Sequence, residues 1–189
     1  MKHLFLSLLL CFFVSSVSAQ SQNISIAVKE YMLSDFQSGQ VLAEENANER
    51  IEPASLTKLM TAYVVFSALK QNRLSLEQVV PVSDTAWRMI GSRMFIEPKK
   101  QVTVGELIQG MIVQSGNDAC IALAEVVAGS EASFSEIMNK EAKRLGMQNT
   151  RFINSTGLPD PNHYTTAHDL TLLATAIIRE FPEFYPLYS

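Results

Sequence analysis

The tetrad Ser55-Leu56-Thr57-Lys58 places a hydroxyl and an amine three residues apart, and side chains at that spacing share one face of a helix. Pro53 precedes the serine, so we expect the pair in the first turn of a helix, where the dipole and the backbone N–H groups favour negative charge. Ser55 would then be a nucleophile and Lys58 its base, because burial lowers the pKa of a lysine and leaves a neutral amine.

The Ser-x-x-Lys spacing is not specific by itself. Chance gives roughly one match in a chain of this length and composition, and Ser67-Ala68-Leu69-Lys70 is a second match at the expected end of the same helix. Taken alone, the first tetrad favours the simpler interpretation, in which Ser55 caps a helix and Lys58 lies in solvent.

A second polar group, Ser115-Gly116-Asn117, lies between two apolar segments that we interpret as buried helices. A tight turn between such helices would project Ser115 and Asn117 into a cleft. The simpler alternative is a connecting turn in which Asn117 caps the following helix.

The pattern of apolar residues predicts an α+β domain with few strands. A hairpin is expected from residues 24–33 and 40–44, with Ser38-Gly39 at its turn, and a short strand near Val79. At least five helices are expected, and two of them start with capping boxes at Thr103 and Ser133; the helices are predicted over 53–72, 103–114, 118–127, 133–146 and 166–178. Two or three strands make only an incomplete antiparallel sheet.

The first nineteen residues form a separate segment. A lysine at position 2 is followed by an almost wholly apolar run from Leu4 to Val14 and by Val17-Ser18-Ala19, a pattern typical of a cleaved secretory signal. Residues 1–19 are therefore predicted to be a signal peptide, and residues 20–189 one domain. Cys120 would be the one cysteine left, and its apolar neighbours predict a small core residue.

The composition of the chain and the positions of His163 and His168 argue against several classes of function. The chain has 47% hydrophobic and 18% charged residues and a net charge of −4, and it lacks the basic face that nucleic-acid binding requires. His163 is expected in a polar loop and His168 at the start of the last helix; their spacing does not suit a zinc pair. A Ser-His-Asp hydrolase is disfavoured because no Gly-x-Ser-x-Gly occurs. We expect no metal and no cofactor.

Together, residues 53–61 and 114–119 closely resemble the two helical-domain motifs of penicillin-binding proteins, and the low-molecular-mass D-alanyl-D-alanine carboxypeptidases are the nearest group. Similar stretches lie at 38–42, 146–152 and 155–158, so the resemblance covers most of residues 25–185. It implies a β-lactamase/transpeptidase-like fold.

The resemblance also implies an activity. Ser55 would attack the bond between the two terminal D-alanines of a peptidoglycan stem peptide, and Lys58 would take its proton. Ser115 would pass a proton to the departing D-alanine, and Asn117 would bind the substrate amide and position Lys58. The Ser55 N–H would be one donor to the oxyanion. β-Lactams would acylate Ser55, and the enzyme would work in the periplasm or at the outer face of the bacterial inner membrane.

One family motif is absent from the sequence, since neither Lys-Thr-Gly nor Lys-Ser-Gly occurs. The family places it later, together with further strands, a C-terminal β domain and a membrane-associating helix. Residues 20–189 are therefore expected to be a partial catalytic domain, inactive by itself. A serine β-lactamase is a weaker alternative because residues 154–164 hold no glutamate. A D,D-endopeptidase and a non-catalytic wall-binding fragment remain further alternatives.

Overall fold

The structure is a computed structural model that describes residues 27–189. Helices are the main regular structure in this part of the chain, and the strands are short. The strands are β1 (Tyr31–Ser34), β2 (Val41–Glu45), β3 (Val79–Val80) and β4 (Val102–Thr103). The helices are α1 (Thr57–Lys70), α2 (Asp84–Trp87), α3 (Val104–Gln114), α4 (Asn117–Ala128), α5 (Glu131–Arg144) and α6 (Ala167–Glu180).

The predicted N-terminal hairpin is confirmed. Strands β1 and β2 pair antiparallel with Tyr31 opposite Glu45. The Asp35 carboxylate accepts hydrogen bonds from the N–H and hydroxyl of Ser38 in the turn, and Gly39 supplies the positive φ of 75° that the reversal requires. Residues 24–26 of the predicted first strand lie outside the described residues.

A second strand pair, β3 with β4, is separate from the hairpin, so the described part of the chain contains two two-stranded antiparallel sheets. Strand β3 is confirmed near Val79. Strand β4 was not predicted, because two residues are too few for a period-two pattern and Thr103 also begins the next helix. These sheets and the helical body give the α+β arrangement that the sequence indicates.

Helices α1 and α4 form the centre of the core. Helix α1 is buried over most of its circumference, with Tyr63 and Phe66 almost fully enclosed. Phe181 and Phe184, at the end of α6 and beyond it, pack their rings against these two aromatic residues. Cys120 is fully buried on α4, as predicted, and burial raises the pKa of its thiol to about 12.

One of the two predicted capping boxes is confirmed. Thr103 and Glu106 form the predicted capping box of α3, and Thr166 caps α6. The prediction that Ser133 opens a helix is wrong, because α5 already begins at Glu131 and the Ser130 hydroxyl accepts from the Ser133 N–H. The polar first turn of α5 hides its start from an analysis of apolar periodicity.

Among residues 27–189 there is no helix whose length and apolar character would let it cross a membrane. The predicted signal peptide, residues 1–19, lies outside the described residues.

Candidate active site

Ser55 lies in a single 3-10 turn, Ala54–Leu56, that leads directly into α1. Its side chain is exposed, and the preceding Ala54 has a positive φ of 46°, which is unusual for alanine. Strained backbone of this kind is concentrated at functional sites, where the surrounding structure holds it in place. The 3-10 turn therefore presents the hydroxyl to solvent, directly ahead of the helix in whose first turn the sequence predicts Ser55.

Lys58, in the first turn of α1, is buried with 7% of its surface exposed. Its Nζ donates to Asn117 Oδ1 at 2.9 Å and to the Thr156 carbonyl at 2.8 Å, and lies 3.5 Å from Ser55 Oγ. Burial lowers the pKa of this amine. A neutral amine has two N–H groups, which these two acceptors take, and its lone pair is left for the serine hydroxyl.

The second predicted motif meets the first at Ser115. This residue ends α3 in the left-handed conformation, with φ 55° and ψ 37°, and its Oγ donates to Ser55 Oγ at 3.1 Å. The turn between α3 and α4 thus places two hydroxyls and one amine, Lys58, around a common point. Two segments sixty residues apart in sequence supply these groups.

Asn117 is the first residue of α4, and its side chain does not cap that helix. Its Oδ1 accepts from Lys58, and its Nδ2 donates to the Ile90 carbonyl at 2.8 Å. Its backbone N–H donates to the Ser92 carbonyl at 2.7 Å. The alternative that Asn117 is only a helix cap is therefore wrong, and the side chain links the lysine to the segment 90–96.

Asp118 holds the segment 90–96 in place, a role that the sequence analysis missed. Its buried carboxylate accepts from the backbone N–H groups of Met94, Phe95 and Ile96 at 2.8–3.2 Å. The same segment supplies the two carbonyls that hold Asn117. The sequence does show an acidic residue next to the Ser115–Asn117 turn. It does not show which groups that residue binds, because its partners lie more than twenty positions away in the chain.

Replacing Asp118 by asparagine is expected to lower the free energy of unfolding by about 1–3 kcal/mol, because the amide keeps one acceptor oxygen and turns donors toward backbone N–H groups. Urea unfolding of the full-length gene product measures the change. Asp84→Asn, at the exposed start of α2, is the control and should cost less than about 1 kcal/mol. Equal midpoints for the two variants would contradict the anchoring role of Asp118.

The segment 154–158 supplies the remaining partner of Lys58. Asn154 Oδ1 accepts from the N–H groups of Thr156 and Gly157, which shapes the turn that presents the Thr156 carbonyl. Gly157 has φ 86° and lies directly against the Ala54 carbonyl, where any Cβ would overlap it. The sequence showed a turn-rich segment here but no sign that its backbone reaches the lysine.

Ser55, Lys58 and Ser115 line a cleft of about 420 Å³, together with Pro53, Met111 and Tyr188.

His163 and His168 do not line this cleft. His168 opens α6 as predicted, whereas His163 is buried with 3% exposure and contacts Thr57 rather than lying in a polar loop. Within residues 27–189, no group of three or more His, Cys, Asp or Glu side chains is arranged to hold a metal ion.

Comparison with known proteins identifies the family. The family model for D-alanyl-D-alanine carboxypeptidases matches residues 16–189. D-alanyl-D-alanine carboxypeptidase DacC of Escherichia coli is 45% identical over 192 residues, which is 97% of this chain and 48% of that protein. The chain therefore spans about half the length of the curated relatives it matches.

Solved structures show the same fold. The D-alanyl-D-alanine carboxypeptidase DacD of Francisella tularensis superimposes with a TM-score of 0.87 at 43% identity, over 89% of this chain and 41% of that one. Ampicillin-bound penicillin-binding protein D2 of Listeria monocytogenes gives a TM-score of 0.77 at 31% identity, over 86% and 66% of the two chains. The fold is thus that of penicillin-binding proteins, as expected, and the chain belongs to the D-alanyl-D-alanine carboxypeptidase family.

Proposed function

We propose that this chain carries the nucleophile half of a serine-type D-alanyl-D-alanine carboxypeptidase. The observation that supports this most directly is the buried Lys58 amine, which is held by Asn117 and the Thr156 carbonyl and directed at Ser55 Oγ. Its substrate would be a peptidoglycan stem peptide that ends in D-Ala-D-Ala, and β-lactams would act as covalent inhibitors. The β-lactam-bound relative from Listeria is consistent with that inhibition.

In the first step, Ser55 Oγ attacks the carbonyl carbon between the two D-alanines while Lys58 Nζ accepts the hydroxyl proton. The carbonyl oxygen becomes an oxyanion, and the N–H of Ser55, at the positive end of α1, is one donor to it. Burial lowers the pKa of Lys58, which favours the neutral amine that must accept this proton.

In the second step, the C–N bond breaks and the departing D-alanine nitrogen takes a proton. Ser115 Oγ, 3.1 Å from Ser55 Oγ, relays that proton from Lys58, and Asn117 binds the substrate amide. Water then hydrolyses the ester on Ser55, which releases the shortened peptide and restores the hydroxyl. The contacts that Ser55 Oγ makes with Lys58 Nζ and Ser115 Oγ support this sequence of proton transfers.

The domain division and the location belong to the same proposal. Residues 1–19 would direct export as a signal peptide, and residues 20–189 would form part of a penicillin-binding catalytic domain in the periplasm. The relatives are bacterial enzymes named for an activity on D-alanyl-D-alanine, which favours an extracytoplasmic site of action.

The proposal is tested by treating the full-length gene product with ampicillin and mapping the adduct. We expect intact-mass spectrometry to show a gain of one antibiotic mass, with tryptic peptides placing it on Ser55. Incubation with a pentapeptide ending in D-Ala-D-Ala should release free D-alanine, and ampicillin should block that release. An unmodified protein, or an adduct on another residue, would sink the assignment.

A further inference from the structure

The two ends of the loop 154–162 lie next to each other, at Ile153 and His163. We call this pair of residues the neck of the loop. The Ile153 N–H donates to His163 Nδ1 at 3.2 Å, and His163 Nε2 lies 2.8 Å from Thr57 Oγ1. Because Nδ1 accepts from a backbone amide, the neutral ring carries its proton on Nε2 and donates it to Thr57. One imidazole therefore joins both sides of the neck to the first residue of α1.

The same loop carries the Thr156 carbonyl that accepts from Lys58 at 2.8 Å. Thr57 and Lys58 are consecutive, so the imidazole and the Thr156 carbonyl both attach the loop to the first turn of α1. One turn later, the Thr61 hydroxyl donates to the Ser155 carbonyl at 2.7 Å. We propose that His163 is a positioning residue for Lys58. Its ring sets the distance between the Thr156 carbonyl and the Lys58 amine. This inference rests on the proposed function, in which Lys58 is the base.

The surroundings of His163 favour this role over that of a space-filling ring. A ring that only filled space would need neither nitrogen, whereas both nitrogens of this one have a partner. Phe152 packs edge-on against it with ring centroids 5.7 Å apart. Burial lowers the pKa of His163, while the carboxylates of Asp160 and Glu52 act in the opposite direction. The lowered pKa favours the neutral ring, which is the form that its two contacts require.

The test compares Thr57→Val, which keeps the shape of the side chain but removes the hydroxyl, with Thr57→Ser, which retains it. In the full-length gene product, the valine variant should react with ampicillin about tenfold more slowly, the effect of one lost hydrogen bond. Its pH–rate profile should shift to higher pH, because a less enclosed Lys58 amine has a higher pKa. The serine variant should retain the wild-type rate and profile.

Two readouts separate this proposal from the proposed function. Imidazole ¹⁵N spectra should show the Nε2–H tautomer in the wild type, and the Lys58 amine should titrate at higher pH in Thr57→Val; neither result depends on acylation. A wild-type protein that resists ampicillin would sink the proposed function and leave this test intact. A folded Thr57→Val protein with unchanged Lys58 titration would overturn the role of His163.

A variant at the histidine itself covers the case in which Thr57→Val does not fold. His163→Gln can still donate toward Thr57, whereas His163→Leu cannot. We expect the leucine variant alone to show the tenfold loss of acylation rate and the shifted Lys58 titration. Identical behaviour of the two variants would overturn the proposal.

Discussion

Replacing Lys58 by methionine should slow acylation by ampicillin by about 10²–10⁴-fold, the usual contribution of a positioned general base. Methionine keeps most of the aliphatic stem that packs in the core but cannot accept the Ser55 proton. In the wild type, the rate should rise with pH as Lys58 loses its proton and level off above its pKa, which burial places below the ordinary lysine value. The variant should lose that rise. Stopped-flow fluorescence across a pH series measures both effects.

Lys70→Met is the matched control, because Ser67 and Lys70 repeat the Ser-x-x-Lys spacing at the other end of α1. The Lys70 amine is exposed and donates to the Glu180 carbonyl at 2.6 Å, far from the nucleophile. This variant should be acylated at the wild-type rate with the wild-type pH profile. A Lys58→Met protein that is folded and reacts as fast as the Lys70 control would show that Lys58 is not the base.

Replacing Gly157 by alanine should lower the free energy of unfolding by about 3–5 kcal/mol. The residue has φ 86°, a conformation that alanine rarely adopts, and the new Cβ would overlap the Ala54 carbonyl. That carbonyl belongs to backbone just before Ser55, so relief of the overlap must move either the nucleophile turn or the loop that holds Lys58. We therefore expect slower acylation as well, measured on protein kept well below its unfolding temperature.

Gly129→Ala separates the two causes of this effect. Gly129 has φ 80° at the end of α4, and a Cβ there would meet nothing within 4 Å. Its substitution carries the conformational cost alone, about 1 kcal/mol, and should not alter acylation. Urea midpoints for the two variants measure the difference. Similar losses of stability would mean that the contact between Gly157 and Ala54 is unimportant.

Local signals predicted the elements that position the site. The capping box at Thr103, the cap at Thr166 and the turn at Ser38-Gly39 each depend on residues within a few positions of one another, so the sequence shows them directly. The start of α5 was misplaced at Ser133 because two serines three residues apart both qualify as caps, and apolar spacing does not choose between them.

The sequence by itself determined which residue types are available for chemistry: a serine before a helix, a lysine one turn later, and a Ser-Gly-Asn turn between two apolar helices. Only the tertiary structure decided their partners. The Thr156 carbonyl reaches Lys58 across 98 positions, and His163 reaches Thr57 across 106. A backbone carbonyl has no sequence signature, and a histidine in a polar segment looks exposed until packing buries it. Burial and long-range hydrogen bonds arise from packing of the whole chain, and these interactions bring the amine, the two hydroxyls and the asparagine together.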